Sequence, residues 1–296
     1  MGAESHDAPL PAGYGLSRHP AIGAHLRDPD EEKQMTAHHI TYSVDDDGIA
    51  TLTIDRPDKR NAMTYAMLNA FTERVAEAGA DDKVRVLIVT GSGDAFCAGT
   101  DLADLASIPG ERRGVRGAAH EGDKWWPLIG CPKPVIGAID GAAVGMGAEF
   151  SSQCDVRIIT DRARFAWNFS HRGLVPDTGA GSWLLPRLIG PQRALRLLYS
   201  GAFMAAEEAL AIGYAAKIVA PEELAAAALA EARVYLAASP FSLRRIKALV
   251  WRGLERDVAG HMEAHVEALA ACFRSSDHKE GVAAFLERRP AHFTGR

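Results

Sequence analysis

Hydrophobic and polar residues alternate in two short runs on either side of Asp45–Gly48, which predicts a β-hairpin over residues 39–57. Apolar residues then recur at helical spacing, so residues 63–80 are predicted to form a helix. The pattern of buried parallel strands is found in three apolar runs, 84–91, 133–141 and 156–161. A helix is predicted for residues 148–155. This alternation predicts an α/β fold with right-handed crossovers around one core.

The two ends of the chain differ from this central part. Residues 1–34 are rich in Pro, Gly and charge and have no hydrophobic periodicity, so we expect a flexible N-terminal arm. Residues 192–296 carry mostly helical patterns, including one helix that ends at Gly201 and an Ala-rich stretch at 225–232. A helical region is therefore expected to follow the alternating strands and helices.

Composition and charge restrict the class of protein. With 47% hydrophobic and 24% charged residues, the chain has the composition of a globular domain. A net charge of -5 argues against a nucleic-acid partner, and no apolar run has the length of a membrane span. The four cysteines form no CxxC pair and the histidines no HExxH motif, so neither a metal site nor a disulfide framework is expected. We expect a cytoplasmic protein.

The glycine-rich segments do not match the common nucleotide or hydrolase motifs. In GMGAEF, Phe150 stands where a dinucleotide-binding fingerprint needs its third glycine. GSGDAFCAG lacks the GK[ST] ending of a P-loop, and no GxSxG motif of a serine hydrolase is present. Chemistry other than nucleotide binding must therefore be considered for these segments.

Two of these segments share one design, in which a buried strand leads through glycine-bearing turns into a helix. They are residues 86–102, VLIVTGSGDAFCAGTDL, and residues 135–150, VIGAIDGAAVGMGAEF. Amides at a helix start have no intrahelical acceptor, and the helix dipole there favours negative charge. Two facing helix starts can direct two N–H groups at one oxygen and form an oxyanion hole. Each loop by itself is more readily explained as an ordinary strand-to-helix turn.

From about residue 38 to its end, the chain resembles the crotonase superfamily, also called the enoyl-CoA hydratase/isomerase family. Six segments carry the resemblance: RPDKRNAM, GSGDAFCAGTDL, KPVIGAIDGAAVGMGAEF, CDVRIITDRARFAW, GLVPDTGAGSWLLPRLIG and EGVAAFLERRPAHFTG. It implies a crotonase-type ββα spiral core over residues 35–230, followed by a C-terminal helical trimerisation region over residues 231–296. It also implies a homotrimer or a dimer of trimers.

The resemblance further implies a site for an acyl-CoA thioester, which is the substrate, and no separate cofactor. The thioester oxygen would accept hydrogen bonds from the amides of Ala98 and Met146, with Glu149 as an acid or base. Residues assigned to CoA or substrate binding are Lys59, Arg60, Ala62, Asp101, Trp167 and Phe169. Together with Trp125 and Trp126, the last two would suit a bulky acyl group.

The second glutamate of the family's hydratases should fall at Phe169, which is not a carboxylate. His171 lies nearby as a possible replacement. Asp177 stands where isomerases that shift double bonds carry an aspartate, although it could also be a turn residue after proline. We therefore expect a double-bond isomerase that uses Glu149 and Asp177. The alternatives are a hydratase that uses Glu149 and a non-catalytic acyl-CoA-binding protein.

Overall fold

Two β-sheets form the centre of the computed structural model, which describes residues 39–107 and 126–296. The predicted arm 1–34 and Trp125 lie outside these residues. Within the described ranges, the first sheet has the order β1-β2-β3-β5-β7-β10 and the second the order β4-β6-β8-β9. The strands are β1 Ile40–Val44, β2 Ile49–Ile54, β3 Val86–Gly91, β4 Ala95–Cys97, β5 Val135–Ile139, β6 Ala142–Val144, β7 Val156–Thr160, β8 Arg164–Ala166, β9 Met204–Ala205 and β10 Lys217–Val219.

Helices follow the strands in nearly every turn of the chain. They are α1 Tyr65–Ala80, α2 Leu102–Ser107, α3 Pro127–Gly130, α4 Met146–Gln153, α5 Ala180–Ile189, α6 Pro191–Ser200, α7 Ala206–Ala211, α8 Leu224–Leu236, α9 Pro240–Gly253, α10 Val258–Arg274 and α11 Ser276–Glu287. Short 3-10 helices cover Pro57–Lys59, Ser170–Arg172 and Pro221–Glu223.

The chain forms a ββα spiral, as predicted. The three turns that begin with β3, β5 and β7 each add one strand to the first sheet and the next strand to the second sheet before a helix returns the chain. Strands β2, β3, β5, β7 and β10 are parallel neighbours, whereas β1 pairs antiparallel with β2 through the predicted hairpin. The carboxyl ends of these parallel strands therefore share one edge, where the glycine-bearing loops emerge.

The second sheet was not predicted from the hydrophobic pattern. Its strands β4, β6 and β8 have three residues each and lie inside segments that the pattern indicated as loops or turns. A three-residue strand is too short to show an alternation of period two. These short strands matter because they set the direction of both loops at the start of α2 and α4.

The core lies on both faces of the first sheet. Alternate residues of β3 point to opposite sides, with Leu87 in the main core cluster and Val86 in the cluster covered by α8. In the main cluster, the ring of Phe71 on α1 stacks on that of Phe150 on α4, with centroids 4.6 Å apart. Helix α4 is therefore held by aromatic packing immediately behind its first turn.

The C-terminal helices are attached to the core at α8 and α9. The predicted boundary between residues 230 and 231 falls within α8, which packs on the first sheet. On α9, Lys247 forms a 2.8 Å ion pair with Asp155, and the Trp251 indole donates to the same carboxylate at 2.9 Å. No residue of α10 is buried. The exposed apolar side chains of α9–α11 include Ile246, Val250, Met262, Val266, Phe273, Phe285 and Leu286.

Within residues 39–107 and 126–296, no helix combines the length and apolar character needed to cross a membrane. The same ranges contain no group of three or more His, Cys, Asp or Glu side chains arranged to hold a metal ion.

Candidate active site

The two glycine-bearing loops contact each other at Gly99 and Gly145. Both glycines have positive φ angles, 101° and 54°, which favour glycine over residues with a side chain. A Cβ on Gly99 would lie 2.9 Å from the Val144 carbonyl oxygen and 3.7 Å from the Met146 nitrogen. The loops therefore approach each other closely only because Gly99 lacks a side chain.

Met146 is the first residue of α4, directly after Gly145. An amide in this position has no intrahelical acceptor, as the sequence led us to expect. Since a Cβ on Gly99 would lie 3.7 Å from this nitrogen, the Met146 amide lies where the two loops meet. The Met146 side chain is only 5% exposed and belongs to the core, so its backbone rather than its thioether is available at this junction.

The predicted partner donor, the Ala98 amide, is already used. It donates a hydrogen bond to the Arg60 carbonyl oxygen at 2.9 Å, and this bond contradicts the predicted role of Ala98. Two residues later in the chain is Thr100. The Met63 amide donates to the Gly99 carbonyl, and the Asp101 amide donates to the Met63 carbonyl, so the Thr100 amide lies between these two bonds and takes part in neither. No described residue accepts a hydrogen bond from the Thr100 amide. Loop geometry, which sequence counting missed, therefore makes Thr100 the available donor of the first loop.

Asn61 ties this loop to the preceding segment and is fully buried. Its Nδ2 donates to the carbonyl oxygens of Ser92 and Ala95 at 2.9 and 2.7 Å, and its Oδ1 accepts from the Arg56 amide at 2.8 Å. It also has a φ of 58°, which asparagine tolerates better than most residues. The Asn61 side chain thus links three backbone groups of the first loop and the preceding segment.

Replacing Asn61 by alanine is expected to lower the free energy of unfolding by about 2–4 kcal/mol, because three buried backbone groups lose their partners. Urea unfolding of Asn61→Ala measures this loss. Asn69→Ala is the matched control, since Asn69 is exposed on α1, and its change is expected to stay within about 0.5 kcal/mol. Equal stability of the two variants would contradict the bracing role of Asn61.

The residues predicted to bind CoA lie on the outside of the same segment. Lys59 and Arg60 are exposed, and neither forms an ion pair within the described part of the chain. The Ala62 amide donates to the Lys59 carbonyl at 3.0 Å, and its carbonyl accepts from Arg56 at 3.1 Å. Lys59 and Arg60 are thus free to contact a ligand, whereas the backbone of Ala62 is already engaged.

Asp101 has a structural role that its predicted role in binding did not include. One carboxylate oxygen pairs with Arg56 at 2.7 Å, and the other accepts from the amides of Ala103 and Asp104 at the start of α2. These bonds, led by the one from Arg56, lower the pKa of Asp101. Both oxygens are occupied, so Asp101 caps α2 and holds the first loop rather than a ligand.

Glu149 lies in the first turn of α4 and is fully buried. Burial raises the pKa of its carboxyl to about 8, and the nearby charge of Asp177 adds to this shift. The Thr178 hydroxyl donates to Oε2 at 2.5 Å and opposes the shift. Its other oxygen, Oε1, has no hydrogen-bond partner among the described residues. A carboxyl in this state can hold or release a proton near neutral pH.

Asp177 lies in the turn that leads into α5, next to Thr178. Asp177 is exposed, and partial desolvation by the neighbouring protein raises the pKa of its carboxyl to about 6. Bonds from the Thr178 amide and the Thr100 side chain oppose the rise. Because it interacts with both Thr100 and Glu149, Asp177 belongs to the same site as the two loops.

The bulky residues near the site have different positions. Phe169 is 8% exposed, and its ring tip would lie 3.8 Å from a Cβ on Gly145, so it packs against the second loop. The Trp126 indole donates to the Thr178 carbonyl oxygen at 2.9 Å. Trp167 is fully buried against Tyr214, with ring centroids 5.7 Å apart, so it packs in the core beside the site, and its contact with the acyl group stays a prediction.

The Trp167 ring also lies directly behind the Glu149 carboxyl. A Cβ on Gly181 would lie 2.4 Å from Glu149 Oε1 and 2.9 Å from Trp167 Cδ1, so the ring and the carboxyl share one buried space. Hydrophobic surroundings on the α5 side thus account for the desolvation of Glu149.

His171, which the sequence suggested as a possible replacement for the second glutamate, is exposed on the short 3-10 helix beside Gly201.

Together, the spiral of two sheets and the two facing loops with adjacent carboxyl groups define the class to which this protein belongs. The family model described as Enoyl-CoA hydratase/isomerase matches residues 45–296. The chain belongs to this family of enzymes, and an acyl-CoA substrate fits it.

Individual relatives carry both hydratase and isomerase names. The chain is 37% identical over 250 residues to a crotonyl-CoA hydratase of Syntrophomonas wolfei, covering 84% of this chain and 95% of the relative. It is 36% identical to a 1,2-epoxyphenylacetyl-CoA isomerase of Escherichia coli, covering 84% and 96%. The crystal structure of an enoyl-CoA hydratase subunit of Geobacillus kaustophilus superposes with a TM-score of 0.80 at 32% identity, covering 87% and 98%.

Proposed function

We propose that this protein is an acyl-CoA isomerase that moves a double bond through a thioester enolate. The observation that carries the proposal is the pair of carboxyl groups with raised pKa values, Glu149 and Asp177, beside the junction of the two loops. Hydration by two carboxylates would use a second carboxyl group at position 169, but this residue is a phenylalanine. The isomerase relative supports this choice, whereas the hydratase relative supports hydration as the second candidate.

In the proposed mechanism, the amides of Thr100 and Met146 donate to the thioester oxygen. The Thr100 amide takes the place first assigned to Ala98, whose N–H is bonded to Arg60. Negative charge develops on this oxygen as the enolate forms, and the loss of one such donor typically costs about 3–4 kcal/mol of transition-state stabilisation. Lys59 and Arg60 are proposed to bind the CoA phosphates. No separate cofactor enters these steps.

The two carboxyl groups divide the proton transfers between them. With a pKa of about 6, Asp177 is mostly ionised at neutral pH and acts as the base. With a pKa of about 8, Glu149 is mostly protonated and acts as the acid. Asp177 takes a proton from the acyl chain, the electron pair moves into the enolate, and Glu149 returns a proton to a carbon farther along. Reversal of both transfers gives the opposite direction.

The rate of isomerisation is therefore expected to follow a bell-shaped pH profile, with limbs near pH 6 and pH 8 that report the coupled pair. The experiment supplies purified protein with 2-enoyl-, 3-enoyl- and dienoyl-CoA and follows products by mass. Asp177→Asn is expected to abolish the acidic limb and lower isomerisation by about 10²-fold or more. Water addition to 2-enoyl-CoA that survives Asp177→Asn unchanged would favour the hydratase instead.

We also propose a homotrimer or a dimer of trimers. The proposal is supported by the exposed apolar side chains on α9, α10 and α11, which would be unusual on a monomer. A non-catalytic acyl-CoA-binding role is the remaining alternative, and any exchange of substrate hydrogens with deuterated water would eliminate it.

A further inference from the structure

We propose that Thr178 is the positioning residue of Glu149: its hydroxyl orients the buried carboxyl group and stabilises the ionised form. This inference rests on the proposed function only for its kinetic consequence, since the contact itself is a feature of the fold. Thr178 lies between the two carboxyls, following Asp177 in the chain and touching Glu149 from the turn before α5.

The hydroxyl of Thr178 is fixed in its orientation. The Ala180 amide donates to Thr178 Oγ1 at 3.3 Å, and Oγ1 donates to Glu149 Oε2 at 2.5 Å. Because the Ala180 amide fills one lone pair on Oγ1, the hydroxyl hydrogen is directed at the glutamate. Glu149 Oε2 is therefore held as an acceptor, and only Oε1 is left without a partner among the described residues.

The backbone of Thr178 is held as well. The Trp126 indole donates to its carbonyl oxygen at 2.9 Å, and the Trp126 ring lies 5.1 Å from that of Trp183 on α5. Thr178 is thus braced from α5 on one side and from the residue before α3 on the other. A threonine braced in this way can hold a carboxyl group in one position while its neighbours change protonation state.

The charged surroundings of Glu149 leave few other groups that can stabilise its ionised form. Asp177 faces it from the turn before α5, and its negative charge favours the protonated form. Cys97 packs against α4 from β4, and farther along α4 the Tyr214 hydroxyl bonds to Ser151 while Arg157 lies over the Tyr214 ring. Among the described residues, the groups that favour ionisation of the Glu149 carboxyl are the uncharged hydroxyl of Thr178, first in effect, and the amides of α5 rather than a cation.

The direct test measures the titration of the Glu149 carboxyl by ¹³C NMR, with the resonance assigned by its absence in Glu149→Gln. Thr178→Val keeps the shape of the side chain but removes the hydroxyl, and it is expected to raise the titration midpoint by about one to two pH units. Thr178→Ser is expected to restore the wild-type midpoint. Ser182→Ala is the matched control, because this exposed hydroxyl at the start of α5 donates to the Gly179 carbonyl instead, and its midpoint should not move.

The kinetic test compares the pH profiles of isomerisation. In Thr178→Val the alkaline limb should move to higher pH, so that activity at pH 9 rises several-fold relative to the maximum. An unchanged midpoint and an unmoved limb in Thr178→Val would overturn the positioning role. A wild-type protein that does not isomerise any of the acyl-CoA substrates would instead reject the proposed function, while the NMR comparison would still decide the role of Thr178.

Discussion

Replacing Glu149 by glutamine is expected to lower the rate of isomerisation by on the order of 10²–10⁴-fold, because the amide cannot return the proton that completes the reaction. Binding of the acyl-CoA should change little, since the proposed oxyanion donors are backbone amides that this substitution leaves in place. Rates and binding constants of Glu149→Gln and wild type, measured on one substrate, test both statements.

The same substitution is expected to stabilise the protein at neutral and alkaline pH. The pKa of Glu149 is raised to about 8 in the folded state, so between the ordinary glutamate pKa and about 8 the unfolded chain releases a proton that the folded chain keeps. Folding stability is therefore lost as pH rises through this window. Glutamine does not titrate, so the variant does not lose stability in this window. We expect the free energy of unfolding of Glu149→Gln to exceed that of the wild type by roughly 2–4 kcal/mol at pH 8 but by little at pH 4.5.

Urea unfolding at both pH values measures this difference. Glu73→Gln is the matched control because Glu73 is exposed on α1, and no pH-dependent gain is expected there. A Glu149→Gln protein that keeps its isomerase rate would remove Glu149 from the mechanism, whatever its stability. A variant that is inactive but no more stable at pH 8 would show that the buried carboxyl is not protonated in the folded state.

Replacing Gly147 by alanine is expected to have the largest effect on stability, with a loss of about 3 kcal/mol or more. The new Cβ would lie 2.2 Å from the Cys97 carbonyl oxygen and 2.8 Å from Cys97 Cβ. Because the carbonyl belongs to the backbone of β4, the clash can be relieved only by moving α4 away from the second sheet. Such a movement also separates the Met146 amide from the first loop, so isomerisation should fall more than the loss of folded protein explains.

Gly281→Ala is a suitable control for this substitution. Gly281 is also a helical glycine, but its new Cβ would meet Phe293 at 3.5 Å, which is an ordinary contact. Alanine is expected to be neutral there or stabilising by about 0.4–1 kcal/mol. Thermal unfolding of both variants and the wild type tests the contrast, and a stable, fully active Gly147→Ala protein would refute the close approach of α4 to β4.

Much of the fold was predictable because its larger elements leave strong patterns. The hairpin β1–β2, helix α1 and strands β3, β5 and β7 follow the period of their apolar residues. The second sheet could not be found in this way, because its strands have only two or three residues each and are too short to show a period. The position of Glu149 followed from the family motif, and its burial agrees with a helix that packs between the second sheet and α5.

The hydrogen-bond donors of the site were less predictable. The first loop offers several successive amides, and only the bond between Ala98 and Arg60 reveals that Thr100 is the one left over. Likewise, Trp167 is an aromatic residue of the kind that lines binding pockets, yet it packs against Tyr214 in the core. Thr178 had no sequence signal, because its role depends on α5 approaching α4, a contact across 29 residues of chain.

The strand order of both sheets follows the order of the chain, so each sheet can grow at one edge while the ribosome is still at work. At about 5–20 residues per second, roughly 1.5 to 6 seconds separate the synthesis of Glu149 from that of Thr178, 29 residues later. Until the segment that carries Thr178 and α5 packs on α4, the Glu149 carboxyl lacks the burial that raises its pKa. It becomes a neutral-pH acid only when α5 docks, so the acidity of the site depends on a segment that is synthesised after the glutamate itself.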